Sequence, residues 1–300
     1  MPEGDTLFRA AATLRKALLG ESVTQFDSTV PLVSIIAQQR VISGRKIAAV
    51  EARGKHLLVV FRLLDPADPV LEEKIVVPPA LDLELLRGDM VLHTHLRMTG
   101  SWHIYRPGET WKKPTRLAKA VIHSTSYVVP CFNAPVVELL TAREAARHPQ
   151  LATLGPDAMT DGFDRDAAFQ RLRSRPEIPV GVGLMNQRNI AGVGNVYKSE
   201  VLFIMRTSPF VNIGSLSDDQ LYGIVDESHK LLQLNETRGI RQTRFTLNSR
   251  VRLWAYGRGG QPCLVCGTAI QMRRQGLDGR STYYCSHCQH VDLSTPSFEA

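Results

Sequence analysis

The sequence predicts an α+β multidomain protein, and three observations carry that prediction. An amphipathic helical stretch opens the chain. Short β-branched runs separated by turn residues follow it to about residue 140. Helical periodicity then takes over from Asp164 until two paired-cysteine motifs near the end. Three hundred residues fit two or three domains, and 43% apolar residues are enough to build cores for them. No apolar run nears the roughly 18 residues that a membrane span needs. Glu3 and Asp5 precede any apolar stretch, which argues against a secretory leader. A cytoplasmic protein without a membrane partner, working as a monomer, is the expectation.

The elements are read in chain order. Thr6 to Leu19 reads as a helix with Leu7, Phe8, Ala11, Leu14 and Leu18 on one face, capped by Asp5 or Thr6. Pro2 and Glu3 would then stand just ahead of the positive end of the helix dipole, where an anion such as phosphate is favoured. From about 21 to 140 short runs recur: Val41-Ile42, Ile47 to Val50, Leu57 to Phe61, Val91-Leu92, Ala120 to Ile122 and Tyr127 to Val129. They predict an antiparallel sandwich or barrel. The acidic, proline-rich stretch from Leu63 to Gly88 reads as an inserted surface loop. Ala142 to Leu154 is a connector. Candidate helices follow at Asp164–Arg173, Gly183–Gln187, Val196–Met205 and Ser217–Leu232, then short strands around a metal. The implied domains are 1–141, 155–250 and 251–290, with a tail over 291–300.

Three features suggest chemistry. If Met1 is removed, Pro2 exposes a secondary amine beside the Glu3 carboxylate. An α-amino group titrates near about 7.7–8.0, so part of it is unprotonated at neutrality. Such an amine attacks a carbonyl or sugar carbon to form an iminium, an electron sink, and Glu3 can move protons beside it. Many proteins also begin Met-Pro without using it. Second, Cys263, Cys266, Cys285 and Cys288 form two CxxC pairs eighteen residues apart. The pattern suits one tetrahedral, structural zinc ion better than two disulfides, with His287 and His290 as spare ligands. Cys131 lies in an apolar run and reads as core. Third, residues 241–280 hold eight arginines, no lysine and one acid, a local +7 equal to the net charge of the whole chain. This patch suits a polyanion gripped by bidentate guanidinium groups; a solvated surface or an acidic-lipid site is the alternative. The interleaved Phe245, Trp254, Tyr256, Tyr283 and Tyr284 either stack on bases or pack the cysteine hairpin.

Three short motifs read two ways each. Gly192-Val193-Gly194-Asn195 is either an anion-binding nest, with Asn195 as a donor and Lys198 one turn on, or a tight interhelical turn. Lys55 in Arg53-Gly54-Lys55-His56 either reaches phosphate or is a surface lysine on a hairpin. Met98 in His95-Leu96-Arg97-Met98-Thr99-Gly100 is either an exposed wedge between bases or core.

Taken together, Pro2-Glu3-Gly4, Gly54-Lys55, His95 to Gly100, Leu154-Gly155-Pro156-Asp157, Gly192 to Asn195, Tyr256-Gly257-Arg258 and the cysteine knuckles occur in one order along nearly the whole chain. In this the chain resembles the formamidopyrimidine-DNA glycosylase and endonuclease VIII family. The resemblance implies an N-terminal helix plus antiparallel β-sandwich, a helix–two-turn–helix domain and a C-terminal zinc-finger β-hairpin. It implies a bifunctional glycosylase and abasic-site lyase of base excision repair, acting on damaged double-stranded DNA. Pro2 would be the nucleophile at C1′, Glu3 the proton carrier, Lys55 and Asn195 phosphate ligands, Arg280 the gripping residue of the finger, and Met98 the filler of the hole left by a flipped base.

Two departures stand out. Thr6 occupies the place of an acid often found in the family, and the 63–88 stretch is long. The Pro-Glu-Gly-Asp-Thr start resembles the actinobacterial endonuclease VIII-like branch, and the stretch from Thr237 to Tyr256 is short for a purine-capping loop. Oxidised pyrimidines are therefore the expected lesions. Oxidised purines are the alternative, and a non-catalytic damage binder or a zinc-ribbon transcription factor are the readings outside enzymology.

Overall fold

The computed structural model describes residues 2–63, 88–245 and 251–291. The chain divides into two compact units, 1–153 and 154–300. The expected inserted loop and the C-terminal tail fall almost wholly outside the described residues, as does part of the short stretch from Thr237 to Tyr256. Among the described residues, no helix is long and apolar enough to cross a membrane.

Unit 1 begins with α1 (Gly4–Leu18), which buries Leu7, Ala11, Leu14 and Leu18 along one stripe. The helix starts two residues earlier than the periodicity predicts. Its N-cap is Glu3, not Asp5 or Thr6. Glu3 has an extended backbone and its carbonyl accepts from the Thr6 and Leu7 amides. Asp5 lies within the first turn, buried and paired with Arg9 at 3.2 Å, where its charge complements the dipole.

Among the described residues, eight strands follow in two antiparallel four-stranded sheets. One runs β1 (Val23–Ser28), β6 (Ala118–Ser124), β7 (Val128–Phe132), β5 (Ser101–Trp102). The other runs β2 (Lys46–Arg53), β3 (His56–Arg62), β4 (Met90–His95), β8 (Val136–Thr141). The sheets share no strand, so the architecture is a sandwich and not a barrel. Leu57, Val59 and Phe61 alternate into a core shared with Leu92, Ile122, Val129 and Cys131, and the Phe26 ring meets Phe61 edge-on at 5.9 Å. Cys131 is thus a core residue, as expected.

Two elements depart from the strand-rich reading. Pro31–Arg40 is a helix, α2, whose Val33, Ile35 and Ile36 give it a strand-like composition but whose Pro31 sits at the favoured first position. Val41 is its C-cap at φ +44°, so Val41-Ile42 is no strand. The connector opens with one helical turn, α3 (Ala142–Ala146), held by a capping box between Thr141 and Glu144.

Unit 2 contains α4 (Arg165–Arg173), α5 (Val180–Met185), α6 (Asn195–Ile204) and α7 (Asp218–Leu234), then the hairpin β9 (Gln271–Gln275) and β10 (Arg280–Tyr284). Asp164 and Ser217 cap α4 and α7 with side-chain hydrogen bonds. Phe203, Ala255, Ile270, Trp254 and Tyr283 pack against the cysteines as a small separate cluster.

Candidate active site and nucleic-acid interface

In unit 1 the predicted residues gather at one end of the sandwich. The Gly20 amide bonds the Ile47 carbonyl, and Arg15 donates to the Val50 carbonyl at 2.7 and 3.0 Å. These contacts lay α1 antiparallel along β2. From Arg15 back to Gly4 the helix rises about 16 Å, while β2 runs the same way from Val50 to Arg53, where the Gly54-Lys55 turn reverses the chain. Pro2 and Glu3 therefore lie toward the same end of unit 1 as the β2–β3 turn that carries Lys55. Glu3 is fully buried. Gly54 takes φ +56° in that turn, a conformation that suits glycine.

The loop after β4 leaves from the same end, because β4 runs antiparallel to β3. Gly100 closes it by donating to the Leu96 carbonyl at 2.8 Å. A Cβ at Gly100 would lie 2.8 Å from the Leu96 backbone, so the loop has no space for a larger residue. Met98 is 71% exposed at its tip. It is not core. Lys55 is faced by imidazoles that stay uncharged. His56 is pushed down to about 2, first by burial and then by the neighbouring His93. His95 is pushed down to about 4, by burial and then by Lys55 itself.

In unit 2, α6 is joined side chain by side chain to β10. Asn195 donates from Nδ2 to the Ser281 carbonyl at 2.6 Å and to its hydroxyl at 3.1 Å. Lys198 donates from Nζ to the Thr282 hydroxyl at 2.6 Å, and the Tyr283 amide donates to the Ser199 hydroxyl at 3.3 Å. Residues 195, 198 and 199 share one helix face, so the helical repeat matches the strand. This brings Asn195 beside the start of β10, where Arg280 stands with its side chain 41% exposed and 3.5 Å from Asp278.

Three expectations change here. Asn195 is 3% exposed and its Nδ2 is bonded to Ser281, so it braces β10 and is not an outward phosphate ligand. Lys198 is 1% exposed and bonded to Thr282, so it serves the α6–β10 joint and is not an outward phosphate ligand. The Gly192 amide is taken by the Gln187 side chain at 3.1 Å, and Gln187 also donates to the Val193 carbonyl at 2.9 Å. The glycine segment is thus a braced turn between α5 and α6, not an open nest.

The arginine-rich patch is also partly structural. Arg258 is buried and donates to the carbonyls of Trp254 at 2.6 Å and Pro262 at 2.7 Å. Arg244 lies over Trp254, Arg241 over Tyr197 and Arg273 over Phe210. Several of the interleaved aromatics therefore pack unit 2.

The four cysteine sulfurs converge. Cys263 and Cys288 Sγ lie 3.8 Å apart, and Cys266 and Cys285 Sγ 3.4 Å. Disulfide sulfurs would be about 2.05 Å apart. Ligands about 2.3 Å from a tetrahedral zinc lie about 3.8 Å from one another, so the set fits that ion. The Val265 amide donates to Cys263 Sγ and the Cys288 amide to Cys285 Sγ, each at 3.4 Å, so the knuckle backbone orients both sulfurs. Zinc held by Cys263, Cys266, Cys285 and Cys288 would fold the finger and leave no open position for chemistry. Replacing Cys285 by serine is expected to unfold the finger and, through the α6–β10 joint, weaken DNA binding with it. Zinc content, tryptophan fluorescence and a duplex-binding titration check this, and fully active zinc-free protein would contradict it.

Glu200 has no forerunner in the motifs. It is fully buried in α6. Its Oε1 accepts from the Ala255 and Tyr256 amides at 2.8 and 2.7 Å; its Oε2 accepts from the Trp254 amide at 2.7 Å and from the Thr243 hydroxyl. Burial pushes its pKa up while these donors pull it down. The only sequence signal is an acid beside the apolar run Val201 to Ile204 of α6.

Three family models match the chain. They are the formamidopyrimidine-DNA glycosylase N-terminal domain over residues 1–135, the H2TH domain of the same enzymes over 154–246, and the zinc finger found in FPG and IleRS over 260–291. The probable endonuclease 8 2 of Streptomyces coelicolor is 33% identical, over 96% of this chain and 94% of its own. The DNA-(apurinic or apyrimidinic site) lyase Nei2 of Mycolicibacterium smegmatis is 32% identical, over 96% and 99%. In fold, the chain is similar to the Lactococcus lactis Fpg in complex with DNA containing N7-benzyl-Fapy-dG, at TM-score 0.75, 22% identity and coverage of 97% and 100%. The MutM protein of Thermus thermophilus gives 0.73 at 25% identity, over 97% and 100%.

Proposed function

We propose, since the chain belongs to the formamidopyrimidine-DNA glycosylase and endonuclease VIII family and is a DNA glycosylase and abasic-site lyase, that Pro2 and Glu3 perform both reactions on oxidised pyrimidines. The observation that supports this reading is Glu3, fully buried as the N-cap of α1 and directly next to Pro2. The positive end of α1 disfavours a protonated amine beside it. Once Met1 is removed, the Pro2 nitrogen lone pair attacks C1′ of the damaged nucleotide. The C1′–N bond to the base breaks, and the base leaves with a proton that Glu3 helps to move. The sugar ring then opens: the C1′–O4′ bond breaks, O4′ takes a proton from Glu3, and the Pro2 nitrogen, having lost its own proton, forms the C1′=N iminium, which acidifies C2′. Loss of a C2′ proton expels the 3′ phosphate, and a second elimination expels the 5′ phosphate.

Lys55 and Arg280 supply phosphate contacts, Asn195 orders the backbone segment beside Arg280, and Met98 enters the stack vacated by the flipped base. Binding is then strongest to distorted or weakly paired sites, where flipping costs least. One chain per lesion is the working unit. Replacing Arg280 by alanine should weaken binding to all duplexes alike and lower the salt slope by about one. Replacing Met98 by alanine should leave the melting temperature unchanged and slow excision about tenfold, read by single-turnover kinetics, since the side chain touches solvent and not core. An equal rate would remove Met98 from the mechanism.

The lesion class rests on the short stretch from Thr237 to Tyr256 and on relatives named endonuclease 8. Excision rates on matched duplexes carrying thymine glycol, dihydrouracil or 8-oxoguanine test it. A preference of about tenfold or more for the two pyrimidines is expected. The reverse order would assign the enzyme to oxidised purines.

A further inference from the structure

Unit 1 holds a second cluster of ligand-type side chains that the base-excision chemistry does not use. We infer that His93, Glu138 and His148 form a metal site for a divalent cation of the zinc class, separate from the four cysteines. His93 and Glu138 are direct cross-strand partners on β4 and β8. Leu92 faces the shared core, so His93 and Glu138 lie on the opposite face of the sheet. The capped turn of α3 and the residues after it bring His148 onto the same spot. His93 Nδ1 is 2.7 Å and His148 Nε2 is 3.2 Å from Glu138 Oε2, and all three ligand atoms lie within 4.8 Å of one another.

Ligands about 2.0–2.1 Å from a tetrahedral ion lie about 3.3 Å apart, so small side-chain rotations open this triangle to fit. Two imidazoles and one carboxylate are a ligand set that zinc uses where a fourth position stays open. The outer shell is in place. His93 Nε2 lies 2.8 Å from His56 Nδ1, so a His93 ring ligating through Nδ1 would have its other nitrogen hydrogen-bonded, the arrangement that fixes the tautomer of metal-bound histidine. The His93 side chain is fully buried, whereas those of His148 and Glu138 are 15% and 39% exposed, which gives the ion a way in. An ion there would fix His93, and through His56 the start of β3 next to Lys55. Without an ion, the same three groups make an ordinary pair of His–Glu hydrogen bonds; the two cases differ in stoichiometry.

The experiment is a cobalt titration of the full chain, with bound metal counted after equilibrium dialysis. Two equivalents are expected to saturate: one with the intense thiolate-to-cobalt charge-transfer bands of the cysteine site, one with only weak visible bands from nitrogen and oxygen ligands. His148→Ala and Glu138→Gln should each lose the second equivalent and keep the first. Cys285→Ser should lose the charge-transfer bands and keep the second equivalent. Both unit 1 substitutions lie on partly exposed groups, and circular dichroism verifies their folds. Saturation at one equivalent in the parent chain, or a second equivalent that survives both His148→Ala and Glu138→Gln, would overturn the assignment.

Discussion

Replacing Pro2 by glycine is expected to lower single-turnover strand cleavage on a damaged duplex about 100-fold or more, a barrier increase of ~2.7 kcal/mol. The reason is chemical. A secondary amine yields an iminium with no N–H to lose, so the electron sink stays charged through elimination. Glycine leaves a primary amine, whose imine must be protonated before it can act. Pro2 precedes α1 and its packed stripe, so the melting temperature should not change. Glu3→Gln keeps the amine but removes the proton carrier, and should cost roughly 10²–10⁴-fold. Retained Met1 should abolish both activities regardless of fold. Parent-like rates for Pro2→Gly would remove the amine from the mechanism.

The largest stability effect is expected at Glu200. Its carboxylate accepts three backbone N–H groups and the Thr243 hydroxyl in the interior of unit 2. Truncation to alanine strands these donors away from water, each at about 1–3 kcal/mol and not additively, for a total of roughly 3–5 kcal/mol. For a unit of about 150 residues this lowers its melting transition by roughly 10 °C. Glutamine keeps the shape but turns NH2 donors toward N–H donors, so it should not rescue. Calorimetry reads the effect on unit 2, and the transition of unit 1 should stay in place. A shift of under about 1 kcal/mol would show that the segment from Trp254 to Tyr256 holds its place without Glu200.

Much of this was legible in the sequence because local chemistry and tertiary structure agree. The α1 stripe, the helix from Ser217 and the apolar run Leu57 to Phe61 of β3 each state locally what the fold then uses. The CxxC pairs announce their own geometry. The misses have a common cause. Lys198 and the Gly192 amide look available when only neighbours in sequence are considered, and Thr282 and Gln187 claim them from a distance. Pro31–Arg40 has strand-like composition but helical context. Arg258 counts as surface charge in composition, yet it ties Trp254 to Pro262 inside the unit. Glu200 and the His93–Glu138–His148 cluster depend on partners tens of residues away, which no spacing rule encodes.

The measurement that tests the central claim most directly is borohydride trapping with peptide mapping. Protein shown to lack Met1 is incubated with duplexes carrying thymine glycol, 8-oxoguanine or an abasic site, and the reductant is added during turnover. The account predicts a covalent protein–DNA adduct that maps to Pro2 and forms fastest, among the base lesions, on thymine glycol. An adduct at a lysine, or no adduct on any duplex, would contradict it.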